Sequence, residues 1–301
     1  MITIPALRIC TAAGRTIVGP NRIEMESASV CALVGESGSG KTLTLRALAG
    51  LPPSGLRVAF SDDPTAKPTL PALAMVFQDP ASYFNPRHRI GQALREVLRC
   101  VGGLSRSTAR RRAVTIAEAV GLCRADLEKF PFEMSGGMLQ RSAIALALAA
   151  EPVLLLADEI TSAMDPELRD RILDLLRHLS RDKGMTILLT SHDLSGVEYI
   201  ADHIYVLYRG VVVERGPARD VLARPSHHYT DILLRSLPGR NRPGEPLPEL
   251  PVEDRWTGEV GCPFAGRCPA VRSRCREEEP AWDADRRFRC FYPVTDKGVS
   301  R

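Results

Sequence analysis

Eight residues, Gly35-Glu36-Ser37-Gly38-Ser39-Gly40-Lys41-Thr42, constrain this chain more than any others. They match the phosphate-loop pattern G-x-x-x-x-G-K-[ST] at every fixed position. The apolar run Val30 to Val34 precedes them and reads as a buried strand, and Leu43 to Ala49 follows and reads as a helix. That strand–loop–helix order commits the segment to an α/β fold. The glycines let backbone N–H groups turn inward on phosphate oxygens, and the helix start adds a positive dipole end. Lys41 is placed for the β- and γ-phosphates, and the Thr42 hydroxyl for Mg²⁺. A Gly/Ser-rich turn without a ligand is the bland alternative. The Gly-Lys-Thr ending and the flanking elements favour a nucleoside triphosphate.

The rest of the chain alternates strands and helices, which predicts a largely parallel sheet. Residues 1–34 alternate polar and apolar, with turn signals at Ala13-Gly14-Arg15 and Val18-Gly19-Pro20-Asn21, predicting short antiparallel strands. Residues 51–80 hold a Pro-rich irregular stretch and then a strand, Ala72 to Phe77, ending at Gln78. Residues 90–122 carry helical periodicity. Ser135-Gly136-Gly137 precedes a helix from Met138 to Ala150. Val153 to Ala157 is a buried strand closed by Asp158-Glu159, and a helix follows from Pro166 to Leu179. Thr186 to Thr190 is another buried strand, ending at Ser191-His192-Asp193, and residues 204–216 read as a hairpin round Arg209-Gly210. The Pro-rich stretch 238–251 reads as a linker, dividing the chain into 1–237, 238–251 and a cysteine-bearing module at 252–301.

A net charge of +4 is too small to argue for nucleic acid, and Arg110-Arg111-Arg112 reads as a solvated helix face. No run of about 18 apolar residues exists, so no transmembrane helix is expected. The N-terminus lacks a basic region followed by an apolar core, so no secretory signal is expected. The expected location is cytoplasmic, with any membrane role arising through a partner. Cys10, Cys31, Cys100 and Cys123 sit among apolar or helical residues and are expected as buried free thiols.

Two segments suit ATP hydrolysis. Asp158 and Glu159 end a buried strand: Asp158 can hold the Mg²⁺ hydration shell, and Glu159 can act as general base on water. Ser135-Gly136-Gly137 at a helix start exposes N–H groups to an anion, although alone it would read as an ordinary cap.

Taken in order, the phosphate loop, Gln78, Ser135-Gly136-Gly137-Met138, Asp158-Glu159, Ser162-Ala163-Met164-Asp165 and His192 make residues 1–236 resemble the ATP-binding cassette (ABC) ATPases. The resemblance implies a mostly parallel sheet core with an antiparallel β subdomain and a helical subdomain. It implies two cassettes paired head to tail, with ATP and Mg²⁺ between Gly35–Thr42 of one and Ser135, Gly136 and Gly137 of the other. It also implies that Gln78 touches Mg²⁺ and the attacking water, that His192 contacts the γ-phosphate, and that Asp165 lies at the dimer interface. Three departures stand out: Met138 where many cassettes have Gln, Ile160 where many have Pro, and no Tyr or Phe near residues 12–15 to stack on adenine.

Gln78-Asp79-Pro80 with Asn85-Pro86, and His227-His228-Tyr229-Thr230 with the cysteine tail, are similar to the oligopeptide/dipeptide/nickel importer subfamily. That likeness implies an ATPase on the cytoplasmic face of the membrane, two permease subunits, a second cassette of the same or a different chain, and an extracytoplasmic binding protein. The rival readings are an exporter ATPase and a soluble cassette ATPase of translation or DNA repair. The single motif set and the lack of a heptad run argue against the soluble rival. The 227–238 segment and the cysteine tail argue against the exporter. Cys262, Cys268, Cys275 and Cys290 are spaced C-x5-C-x6-C-x14-C, which fits no usual zinc-finger pattern. Their number on so short a segment suggests a metal clamp. The likeness to those subfamily members that carry one implies a [4Fe-4S] cluster, with zinc, free thiols or disulfides as alternatives.

Overall fold

The computed structural model describes residues 1–60, 70–162, 164–237, 260–285 and 287–294. The expected linker at 238–251 lies outside the described residues, as does Ala163. In chain order the first elements are β1 (Ile2–Thr11), β2 (Thr16–Met25), β3 (Val30–Val34), α1 (Lys41–Leu48), β4 (Leu56–Phe60) and β5 (Leu73–Val76). Next come α2 (Ile90–Cys100), α3 (Arg106–Ala119), α4 (Gly136–Leu148), β6 (Leu154–Asp158), α5 (Pro166–Lys183), β7 (Thr186–Ser191) and α6 (Leu194–Ile200). The chain continues through β8 (His203–Tyr208), β9 (Val211–Pro217), α7 (Ala218–Ala223), α8 (His228–Arg235) and α9 (Ser273–Glu277).

A six-stranded sheet of order β5-β6-β7-β3-β8-β9 carries the fold, parallel except for the final β8–β9 pair. Its central strands are buried on both faces. In β3, Val30, Ala32 and Val34 enter one core and Cys31 and Leu33 the other, as the two-residue side-chain period requires. The first core holds the helices α2 to α6, and the second holds α1 and the antiparallel sheet β2-β1-β4. Because β3 lies between β7 and β8, the loop after it opens at the carboxyl edge of mid-sheet, where α/β folds bind ligands. No helix among the described residues is long and apolar enough to cross a membrane.

Three expectations need correction. The Gly19-Pro20 signal is not a turn, because β2 runs through it. Gly19 N–H donates to Gly210 O at 2.8 Å, and the Asn21 side chain donates to Gly210 O at 2.7 Å and accepts from Val212 N–H at 2.9 Å. Those long-range bonds keep the strand extended through Gly19 and Pro20, with irregularities in its pairing to β1. Residues 56–60, expected to be irregular, form β4 by pairing with β1. Of the four scattered cysteines, Cys31 is buried and Cys10 half-buried, but Cys100 and Cys123 are exposed. Cys100 closes α2 and Cys123 starts a 3-10 turn, so both sit at element ends rather than on packed faces.

The cysteine-bearing segment packs on the cassette. Residues 287–289 run beside β9: Arg215 N–H donates to Arg287 O at 2.7 Å and Arg289 N–H to Val213 O at 2.9 Å. Phe264 is fully buried, with its ring 5.2 Å from Tyr208 and 5.4 Å from Tyr229. Cys262, Phe264, Ala265 and Cys275 join the larger core cluster. A segment this short cannot build a core of its own, and it borrows one.

Candidate nucleotide site and cysteine pocket

The phosphate loop runs from the end of β3 to the start of α1. Gly35 has φ 151°, and a Cβ there would sit 2.1 Å from Leu207 O, so only glycine fits beside β8. Gly40 N-caps α1 in the left-handed region. Lys41, buried at 4% exposure, folds back over the loop: its Nζ donates to Gly35 O at 2.9 Å and Glu36 O at 3.0 Å.

The neighbouring strands bring acids to the same edge. Thr42 Oγ1 donates to Asp158 Oδ1 at 2.9 Å, joining α1 to the end of β6. Thr190 Oγ1, from β7, donates to the same Oδ1 at 2.8 Å and accepts from Glu159 N–H at 3.0 Å. Glu159 sits at φ 47°, a left-handed conformation costing a non-glycine residue roughly 1–2 kcal/mol. The hydrogen bonds of its N–H to Thr190 hold that strain. Its carboxylate lies 3.6 Å from Lys41 Nζ and 3.3 Å from His192 Nδ1. Glu159 is mostly shielded while His192 is 60% exposed, so the pair spans the boundary between protein and solvent.

Gln78 is exposed at the end of β5, and its Nε2 donates to Ser162 Oγ at 3.3 Å. It lines a cleft with Thr42, Arg46, Phe77 and Asp158. The edge therefore collects Lys41, Thr42, Gln78, Asp158, Glu159 and His192 from four strand ends. Carboxylate, hydroxyl and ammonium groups beside a cradle of N–H donors can hold a metal–phosphate and polarise water.

Ser135-Gly136-Gly137 lies elsewhere. Ser135 caps α4 by accepting from Met138 N–H at 3.3 Å, and Ser135 and Gly136 are exposed. Gly137 is buried against Leu168 of α5, whose Cδ1 would lie 2.6 Å from an added Cβ. Asp165 caps α5 by accepting from Leu168 N–H at 2.9 Å and is exposed. Arg15 is exposed in the β1–β2 turn.

Sequence reasoning missed three groups. Thr190 looked like one polar residue ending an apolar strand. Tyr229 Oη accepts from Glu36 N–H at 2.8 Å, and Arg267 grips the Glu36 carboxylate through Nη1 at 2.8 Å and Nη2 at 3.1 Å. Only chain folding over some 190 and 230 positions brings these together, so no local signal exists.

Cys262, Cys268, Cys275 and Cys290 line one small cavity with His227, His228 and Tyr292. Burial pushes the Cys262 thiol up to about 12 and the Cys268 thiol up to about 11, with the neighbouring cysteines adding to it. Burial raises Cys290 as well. Among the described residues, however, no three His, Cys, Asp or Glu side chains converge closely enough to hold a metal ion. A single zinc draws four sulfurs to about 2.3 Å from one point. The four thiols share a cavity, but as placed they do not form a metal site.

Two family models match the chain: "ABC transporter" over residues 20–162, and "Oligopeptide/dipeptide transporter, C-terminal region" over residues 213–275. The dipeptide transport ATP-binding protein DppD of Escherichia coli is 37% identical, over 91% of this chain and 90% of the relative. The oligopeptide transport ATP-binding protein OppD of Salmonella typhimurium is 34% identical, over 93% and 89%. Among solved structures, the dimeric cassette MJ0796 bound to ADP and Pi aligns with a TM-score of 0.61 at 24% identity, covering 73% of this chain and 99% of that one. CbiO1 from Clostridium perfringens aligns with a TM-score of 0.61 at 24% identity, covering 73% and 91%. These two establish a shared fold.

Proposed function

The chain belongs to the ABC transporter family of ATP-binding proteins, and on that premise we propose that it hydrolyses ATP to drive a peptide importer. The carrying observation is the network Thr42–Asp158–Thr190–Glu159–His192 beside Lys41, closed by contacts of 2.8 to 3.6 Å. In this reading Gly35, Glu36, Ser37, Gly38, Ser39 and Gly40 form the phosphate cradle. Lys41 takes the β- and γ-phosphates. Thr42, Gln78 and Asp158 take Mg²⁺ and its waters. Glu159 accepts the proton of the attacking water, and His192 contacts the γ-phosphate.

Exposure of Ser135 and Gly136 supports the second half of the site, in which a neighbouring cassette's nucleotide docks on them. Asp165 lies near them, since Leu168, its cap partner, also packs on Gly137. The ATPase works on the cytoplasmic face, against two permease subunits fed by an extracytoplasmic binding protein. A di- or oligopeptide is the favoured cargo, with nickel or a metal complex second. Residues 1–237 are the catalytic unit, 238–251 the linker and 252–301 the cysteine-bearing appendage.

For the appendage the subfamily likeness favours an iron–sulfur cluster over zinc; the four sulfurs line one cavity, although among the described residues they form no group placed to hold a metal ion. Cys262, Cys268, Cys275 and Cys290 would hold it as thiolates, for which binding must overcome their raised pKa values. A bound cluster supplies cross-linking of the segment. Anaerobic purification with iron and sulfide assays decides the matter: a colourless, iron-free protein removes the cluster.

The ATPase reading is tested with Glu159→Gln. ATP binding is expected to survive, and hydrolysis to fall by about 10²–10⁴-fold. Unchanged turnover would take the general-base role away from Glu159.

A further inference from the structure

We infer that Arg267, from the cysteine-bearing segment, is a positioning residue for the phosphate loop, so that this segment sets the affinity for Mg·ATP. The inference rests on the ATP-site reading above. Glu36 is the second residue of the loop, and five hydrogen bonds with three side chains fix the Gly35–Glu36 unit. Lys41 Nζ takes both carbonyl oxygens, at 2.9 and 3.0 Å. The Tyr229 hydroxyl takes the Glu36 N–H at 2.8 Å. Arg267 takes both carboxylate oxygens in a two-pronged pair at 2.8 and 3.1 Å, 231 positions away in sequence.

Two physical effects follow. A carboxylate at the mouth of an anion-binding loop repels phosphate, and the guanidinium neutralises it. The pair is poorly exposed, at 17% for Arg267 and 29% for Glu36, so solvent screens it weakly. A paired fork also fixes direction, which a lone Lys charge would not. Losing it frees the carboxylate to swing toward the phosphates and lets the loop's N–H groups disperse.

Arg267 is itself held. Its guanidinium lies 5.9 Å from the Tyr208 ring centroid, and Tyr208 packs edge-on against Phe264. Arg267 directly precedes Cys268, whose thiol lines the cysteine pocket. Arg267 N–H donates to Phe264 O at 3.0 Å, closing a short 3-10 turn between Cys262 and Cys268. Whatever orders the four thiols therefore orders the group that grips the loop.

The test uses full-length chain and equilibrium titration with Mg·ATP. Arg267→Gln and Glu36→Gln are each compared with wild type, with the double variant, and with Arg274→Gln, which loses an exposed pair to Glu278 in the same segment. Arg267→Gln is expected to weaken Mg·ATP roughly tenfold, with Arg267→Lys recovering part of the loss. Glu36→Gln removes the repelling charge together with its grip, and is expected to make the loss of Arg267 nearly silent. Arg274→Gln is expected to bind as wild type. The inference is overturned if Arg267→Gln binds as wild type, if it costs as much in the Glu36→Gln background as in the wild-type chain, or if Arg274→Gln weakens binding equally. Wild-type chain that fails to bind Mg·ATP would overturn the ATP-site reading itself, a result distinct from those three.

Discussion

At the residue scale the acids of the site are held by neutral hydrogen-bond partners as well as by charged ones. Thr190 is the clearest case, since one hydroxyl donates to Asp158 and accepts from the strained Glu159 N–H. Thr190→Ala is expected to leave Asp158 with one donor fewer and the Glu159 N–H with the backbone carbonyl of residue 190, at 3.2 Å, but no hydroxyl to hold its φ of 47°. A displacement near 1 Å at a reacting group costs roughly 10²-fold, so kcat should fall by about one to two orders of magnitude. Thr190→Ser keeps the hydroxyl and is expected to restore most of the rate in a steady-state ATPase assay. Thr190→Ala with wild-type kcat would show that Asp158 and Glu159 hold themselves.

At the element scale the caps set where helices begin. Asp126 lies in the 3-10 turn between α3 and α4, accepting from Cys123 N–H at 2.9 Å and from Lys129 Nζ at 2.7 Å. The Lys129 bond holds its carboxyl down at about 2. The sign follows from that depression. The ionised form is favoured by folding, so its contribution is complete above about pH 4 and is lost as pH falls toward about 2. After discounting for screening at this surface, that contribution is roughly 1 kcal/mol. Asp126→Asn is therefore expected to be about 1 kcal/mol less stable than wild type at pH 7 in urea unfolding. The gap should close between about pH 4 and pH 2. A gap that stays constant with pH would mean that the charge contributes nothing.

At the scale of the whole molecule, two surfaces matter. The appendage is sewn to the cassette by Phe264, buried among Tyr208, Tyr229 and His227. Phe264→Ala is expected to cost about 3–5 kcal/mol, read as a lowered thermal midpoint. A midpoint near wild type would show that the segment contributes no packing. The outward face of α4 makes the opposite prediction. Ser135→Arg should leave Mg·ATP binding by the single chain unchanged, because Ser135 is exposed and bonds locally. It should abolish hydrolysis in the assembled transporter, where that face would meet a neighbour's phosphates. Full turnover there would sink the shared-site reading. The sequence by itself determined the phosphate loop, the buried strands and the acids that end them. Those signals are local, carried by spacing and by runs of apolar residues. It also supplied the order of motifs that marks the family. It misplaced a turn at Gly19-Pro20, because hydrogen bonds to residues near 210 override the local preference. It did not give the contacts of Thr190, Tyr229 and Arg267, which depend on neighbours 31 to 231 positions distant. Contacts at that separation exist only once the sheet has ordered β3 between β7 and β8 and the tail has found β9. Tertiary structure alone therefore decided what holds the phosphate loop in place.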